Sequence, residues 1–254
     1  MSTHLLTIIT PVLNDFDGLV LCANSIGHSN GEFEHIIVDG HSTDGSYEYA
    51  EELSDRPYTQ VIKQTSKYIY GAFNDGLRAA SGKYVIFLHC GDEINLETVM
   101  SLVKNSESYE LIAASCSQNS AHEVKYYYRS ERNKISVNSM SILHPSLIIQ
   151  RDKYNEVGGF DEYFKISADV DCIFKILKIS KKVRYVDDLV THMEEFGFSQ
   201  SHYFKKLREH TLIKYRHGGL IQAFYHIPKR LILDYLVIPI WVRVKKFNIK
   251  IVKR

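Results

Sequence analysis

The chain has 254 residues, 44% of them hydrophobic and 24% charged, with 17 Tyr and 12 Phe against 14 Gly and 5 Pro. That aromatic content excludes a disordered, collagen-like or low-complexity chain, and the length supports one main core plus an appendage. Cys22, Cys90, Cys116 and Cys172 form no C-x-x-C pair, and no charged-then-apolar leader precedes Leu5. A disulfide framework, a zinc ribbon and export are therefore not expected, and a cytoplasmic setting is.

Basic and acidic residues balance overall at 31 to 30, yet from Lys205 onward 13 Lys or Arg stand against two acids, Glu209 and Asp234. The C-terminal end thus carries +11 and the first 204 residues −10. Such asymmetry fits an anionic partner met by the C-terminal end, either nucleic acid or the inner leaflet of a membrane.

In chain order, residues 5–10 (LLTIIT), 35–38, 60–62 and 84–88 (YVIFL) are apolar on both faces and read as buried strands. Between them, 17–26, 44–53 and 71–80 have helical apolar spacing, with Ser42, Thr43 and Asp44 offering N-cap oxygens to the second. This alternation predicts an α/β sandwich on a mostly parallel sheet, whose ligands sit at the carboxyl ends of the strands. Farther on, 110–114, 123–128, 145–149 and 183–186 read as strands and 169–179 as an amphipathic helix. After Ser199 the pattern is helical, with breaks at Gly218 and Gly219, Pro228 and Pro239.

Four polar groups fall at predicted strand ends. At the first, Pro11 is expected to stop the strand and free backbone groups toward a ligand, with Asn14 close behind. At the second, Asp39 precedes the helix start at Ser42 to Gly45; its carboxylate can accept from a nucleobase N–H or a ribose hydroxyl, and the helix N-terminus can face a phosphate. Capping accounts for Ser42 to Asp44 but not for Asp39. The third runs from Tyr70 to Gly82, where the glycine reads as a C-cap and Asn74 is ill suited to a helix interior. The fourth is His89, Cys90, Gly91, Asp92 and Glu93, an acid emerging from mid-sheet, where a charge must be paired or bind a cation.

Taken in order, TIITPVLND, IIVDGHSTDGS and YGAFNDGLRAASGKYVIFLHCGD resemble the nucleotide-binding half of family 2 inverting glycosyltransferases of the GT-A fold. His144 and Pro145, then GGFDE at 158–162, then SADVD at 167–171, continue the resemblance, which spans roughly residues 5–200. It implies an α/β, Rossmann-like GT-A domain over 1–204 and a basic, amphipathic helical extension over 205–254. It further implies a nucleobase-binding role for Asp39 and a nucleoside wall from Thr10, Pro11 and Asn14. Asp92 would be the last acid of a DxD-type motif holding Mn²⁺ or Mg²⁺, and Asp169 the general base. Asp171 would contact donor or acceptor sugar, and Asn74 would lie on the donor side.

The chain also departs from that pattern. His89, Cys90 and Gly91 precede a lone Asp92 where many relatives have two or three acids, so metal affinity without donor should be weak. Enzymes of bacterial capsule and colanic-acid type assembly have a similarly reduced motif. Such enzymes tend to carry acids at the positions of Ser66 and Gly71, for which Lys67 and Tyr70 are the expected substitutes in contacting the donor. His144 is a candidate donor-phosphate contact and His192 a further metal ligand.

Residues 231–242 are apolar except for Asp234, but twelve residues with Pro239 are too short to span a bilayer, which takes about 20. Flanking Lys and Arg fit an interfacial helix at an anionic membrane, or else a dimerisation arm; nucleic acid fits poorly, since no reader module accompanies the charge. The expected activity is inverting transfer from a nucleotide-diphosphate sugar, a UDP-sugar on the resemblance, to a lipid-linked or oligosaccharide acceptor in bacterial surface-glycan synthesis. A nucleotidyltransferase and a non-catalytic binding subunit are the alternatives.

Overall fold

The computed structural model describes residues 4–27, 32–120, 123–128, 144–194 and 203–231. The apolar run beyond residue 231, including Pro239, lies outside them. The chain divides into two compact units, residues 1–200 and 201–254.

In the first unit the elements run β1 (Leu6–Val12), α1 (Phe16–Ile26), β2 (Phe33–Asp39), α2 (Ser46–Leu53), β3 (Thr59–Lys63), α3 (Tyr68–Ala79) and β4 (Tyr84–Phe87). Then follow β5 (Glu93–Ile94), α4 (Leu96–Lys104), β6 (Leu111–Ser120), β7 (Glu123–Tyr128), a 3-10 turn (His144–Ser146), β8 (Leu147–Gln150), α5 (Arg151–Val157), α6 (Ala168–Ile179) and β9 (Val183–Glu194). Among the described residues these strands form one sheet in the order β3-β2-β1-β4-β8-β6-β9-β5, with β7 beside β6. The run β3-β2-β1-β4 is parallel throughout. Beyond β4 the directions mix, with β8 antiparallel to both β4 and β6.

The apolar runs become strands because both faces are covered. Leu6, Ile8, Ile9, Ile36, Ile37 and Ile86 are fully buried, and each such side chain contributes about 1.5–3 kcal/mol of transfer free energy. Pro11 does not end β1. The strand continues to Val12, with Pro11 in register with Val38. Pairing with β4 stops at Ile9 and Phe87, and the Pro11 carbonyl faces the segment after β4, accepting from Cys90 Sγ at 3.4 Å. No ladder partner on that side needs the missing N–H, so the proline is tolerated in a central strand.

Gly82 also differs from expectation. The C-cap of α3 is Ala80, whereas a Cβ on Gly82 would lie 2.7 Å from the backbone of Leu6 and Thr7. Close approach of that turn to β1 is what requires the glycine. Two helices escape the periodicity reading. α5 (RDKYNEV) buries only Tyr154, and α4 is announced by Asn95, whose side chain accepts from Thr98 N–H. β9 extends well past residue 186, because a register shift against β6 absorbs Asp187 and Asp188.

The second unit is described through α7 (Tyr203–Leu231), interrupted at Gly219, where φ is 82°. Among the described residues no helix is long and apolar enough to cross a membrane.

Candidate active site at the carboxyl end of the parallel strands

Three loops at the carboxyl ends of β1, β2 and β3 are cross-linked. Asn14, with φ of 51°, receives Thr43 N–H on Oδ1 at 2.8 Å and gives its own N–H to Ser42 Oγ at 3.0 Å. Asp15 N–H bonds Ser46 Oγ, and Phe16 N–H bonds Asp44 Oδ2. Asp39 ends β2 opposite both Val12 and Lys63. Its carboxylate is 1% exposed and accepts from His41 N–H at 2.9 Å and Ser42 N–H at 3.2 Å. Those bonds shape the 39–42 turn and leave part of the acceptor capacity of two carboxylate oxygens unused.

Thr10 points elsewhere. Its side chain is fully buried, with Oγ1 3.0 Å from His35 Nε2 and 3.6 Å from Cys22 Sγ. The nucleoside wall expected from Thr10, Pro11 and Asn14 is therefore reduced to half-buried Pro11 and exposed Asn14, because strand alternation turns Thr10 into the core.

The loop between β3 and α3 is organised from below by Asp75, which sequence reasoning passes over. This carboxylate, 5% exposed, accepts from Thr65 N–H at 2.7 Å, Thr65 Oγ1 at 2.9 Å and Ser66 N–H at 3.2 Å, and pairs with Arg78. Burial raises its pKa, but the Thr65 and Ser66 donors and the Arg78 charge outweigh it and hold the carboxyl below the usual range. An acid three residues before an arginine on the buried face of a helix was the available signal. Lys67 stands exposed as the N-cap residue of α3.

Tyr70 and Asn74, expected on the donor side, turn instead toward the segment leading into α6. Asn74 donates to Phe160 O and accepts from Phe160 N–H, both at 2.9 Å. Gly159, with φ of 70°, is required there because a Cβ would come within 2.6 Å of Asn74 Oδ1. Tyr70 is 6% exposed, and its hydroxyl lies 2.8 Å from Asp169 Oδ1 and 2.7 Å from Ile166 O.

Asp169 sits in the first turn of α6, half-buried. Burial lifts its carboxyl above the usual range, opposed by the Tyr70 hydroxyl, the Val170 N–H and the nearby His89. His89, in the first position of the reduced acidic motif, is itself pushed down to about 4 by burial and so is neutral at physiological pH. Asp171 does not join it. Two residues along a helix is more than half a turn, and Asp171 is fully buried and ion-paired with Lys175 at 2.8 Å. The expectation that Asp171 touches a sugar is therefore corrected.

His144 is likewise corrected. The ring lies 5.0 Å from Phe87 and 5.5 Å from Phe73 between ring centroids, near parallel to both. Burial pushes its pKa down to about 3, so this 5% exposed, neutral imidazole braces the aromatic cluster rather than offering charge to a phosphate.

Asp92 follows β4, 7% exposed, and its neighbour Glu93 is in register with His192 on β9. His192 Nδ1 is 2.6 Å from Ser117 Oγ. The Asp92 charge, added to burial, helps raise the thiols of Cys22 and Cys116 to about 12 and that of Cys90 well above its ordinary value. Among the described residues no group of three or more His, Cys, Asp or Glu could hold a metal ion. The structure relates the two expected metal ligands, Asp92 and His192, only through Glu93, the neighbour of Asp92 that pairs with His192.

The carboxyl end of the parallel strands thus carries Asp39 at the end of β2 and His89 and Asp92 after β4, with Asp169 of α6 near His89. The glycosyl transferase family 2 model matches residues 7–187, and the chain belongs to that family. A PGL/p-HBAD biosynthesis glycosyltransferase of Mycobacterium bovis is 24% identical over 205 residues, covering 78% of this chain and 79% of that protein. An uncharacterized glycosyltransferase of Escherichia coli, YibD, is 31% identical over 117 residues, 45% of this chain and 34% of that protein. TarS 1-349 of S. aureus, solved with UDP, superposes with a TM-score of 0.66 at 18% identity over 84% of this chain. The chain spans 66% of that structure, just under two thirds. The mannosyltransferase PcManGT of Pyrobaculum calidifontis, solved with GDP-Man and Mn²⁺, gives 0.62 at 16% identity, covering 97% of this chain and 80% of that one. The chain is a glycosyltransferase with the GT-A fold.

Proposed function

We propose that this enzyme moves a sugar, with inversion at the anomeric carbon, from a UDP-sugar to a lipid-linked or oligosaccharide acceptor in the assembly of a bacterial surface glycan. The observation that carries the reading is the half-buried Asp169 carboxylate in the first turn of α6, bonded by the Tyr70 hydroxyl and near His89, which follows β4 three residues before Asp92. In this reading the acceptor hydroxyl attacks the anomeric carbon in line and its proton passes to Asp169. The bond from that carbon to the diphosphate oxygen breaks as the new one forms, and nucleoside diphosphate leaves. Asp39 accepts from the nucleobase, and Pro11, Asn14 and Lys67 border the nucleotide.

Asp92 and His192 would hold the divalent cation, with Ser117 orienting the imidazole through Nδ1. When bound, the cation supplies positive charge against the departing diphosphate. That PcManGT was solved with GDP-Man and Mn²⁺, and TarS with UDP, supports a nucleotide diphosphate and a divalent cation as the bound partners.

The basic C-terminal extension fits docking to an anionic membrane at the inner face. On α7, Phe204, Leu220 and Ile221 are 70%, 74% and 73% exposed in a stretch that also carries Lys205, Lys206, Arg208 and Arg216.

Incubation with Mn²⁺ and a panel of nucleotide-sugars, with and without glycan and lipid-linked acceptors, tests the reading. Release of nucleoside diphosphate with transfer to an acceptor is expected. Release of pyrophosphate would mean nucleotidyl transfer, and silence with every donor and acceptor would leave a binding subunit.

A further inference from the structure

Tyr70 is held so that only its hydroxyl is left to choose a partner. Its ring is stacked on Phe160 at 5.8 Å and 21° and stands edge-on to Phe73 at 5.6 Å and 85°. Phe160 is in turn fixed at both backbone groups by Asn74, one turn along α3 from Tyr70. The hydroxyl lies between two acceptors, Asp169 Oδ1 at 2.8 Å and Ile166 O at 2.7 Å, and carries one proton. We infer that Tyr70 is the positioning residue of the base: its hydroxyl binds one oxygen of Asp169 and leaves the other to receive the acceptor's proton.

This inference rests on the glycosyl-transfer reading for its catalytic meaning, but the hydrogen bond itself can be tested without it. While Asp169 is ionised, the charge-assisted bond draws the Tyr70 proton to Oδ1. After Asp169 has taken a proton, the hydroxyl can turn to Ile166 O, so neither state leaves it unbonded. The same helix carries Asp75, which shapes the 64–67 loop on the donor side. One rigid element therefore sets both the donor loop and the base. Sequence alone assigned Tyr70 to the donor, because the partner ninety-nine positions away is invisible there.

The titratable groups around Asp169 are Tyr70 from α3, which donates to it, His89 after β4, whose charge acts on it, and Tyr154 from α5 and Cys172 on its own helix, which the Asp169 charge raises. Burial keeps Tyr154 and Cys172 neutral from acidic to neutral pH, while His89, held down to about 4, gains charge only at the acid end, equally in wild type and Tyr70→Phe. In the full-length protein, ¹³C-carboxyl NMR, with the Asp169 resonance assigned through Asp169→Asn, reads that titration directly. Tyr70→Phe keeps the ring and should raise the Asp169 pKa by about 0.5–1 unit, since a bond to the ionised form is lost. Affinity for UDP with Mn²⁺, measured by calorimetry, should stay within about twofold. With whichever donor and acceptor the wild type uses, kcat near pH 6.5 should fall about tenfold at constant donor KM, its acid limb moving to higher pH. An unchanged Asp169 titration would overturn the inference, as would a tenfold loss of UDP affinity, which would return Tyr70 to the donor site. Should the wild type turn over no nucleotide-sugar, the proposed reaction fails while the NMR titration still decides whether Tyr70 holds Asp169.

Discussion

Asn74 grips Phe160 at both of its backbone groups, with Nδ2 donating to the carbonyl and Oδ1 accepting from the N–H, each at 2.9 Å. A side chain poorly suited to a helix interior is thus the bolt between α3 and the glycine turn that leads to Asp169. Asn74→Ala leaves both groups of Phe160 without this partner and should cost about 2–4 kcal/mol in urea denaturation. A loss below about 1 kcal/mol would show that the turn holds itself.

Asp169→Asn should lower transfer by roughly a thousandfold while UDP and Mn²⁺ affinity stays constant, since a base acts as bonds change. The same variant should be more stable than the wild type at neutral pH. The folded-state pKa of Asp169 is raised, so its favourable contribution is full below the unfolded value and is lost as pH rises through the folded one. A thermal denaturation series from pH 4 to 8 should show the two proteins diverging as pH increases; parallel curves would contradict the buried, raised carboxyl.

Asp75 titrates with the opposite sign. Its folded-state pKa is depressed, so its contribution is present above the unfolded value and disappears as pH falls through the folded one. Asp75→Asn should therefore cost about 1–3 kcal/mol near pH 7 and progressively less in acid. Because Thr65 and Ser66 lose their anchor, the donor KM should rise with kcat little changed. A variant equally destabilised at every pH would remove the electrostatic part of this explanation.

Metal dependence should follow Asp92 and His192 together. Asp92→Asn and His192→Ala should each abolish the Mn²⁺ enhancement of UDP binding in calorimetry. Ser117→Ala should weaken Mn²⁺ about tenfold by releasing Nδ1. Retention of full Mn²⁺ dependence in His192→Ala would place the second protein ligand elsewhere.

Much of the frame is legible in the residue order. Apolar runs ending at Asp39 and just before His89 mark buried parallel strands, and the acids lie where those strands stop. What escapes is direction and pairing. Thr10 looks like a site residue because it borders Pro11, yet alternation along β1 buries it against His35. Asp171 looks equivalent to Asp169 until the helix turns it onto Lys175. His144 reads as a polar group near a strand end, but its surroundings are Phe73 and Phe87, brought there by other strands. Tyr70, Asn74 and Asp75 share one helix, and only the fold reveals that the first reaches forward to Asp169 on α6, the second to the turn at Phe160 and the third back to the loop before the helix.

The convergence of Asp39, Asp92 and Asp169 on one ligand is most directly tested by a crystal grown with UDP and Mn²⁺, with the metal located by its anomalous signal. Uracil against Asp39, the Mn²⁺ peak between the diphosphate and the side chains of Asp92 and His192, and Asp169 facing the open end of the diphosphate is the predicted result. UDP bound away from Asp39, or a Mn²⁺ peak remote from Asp92, would contradict it.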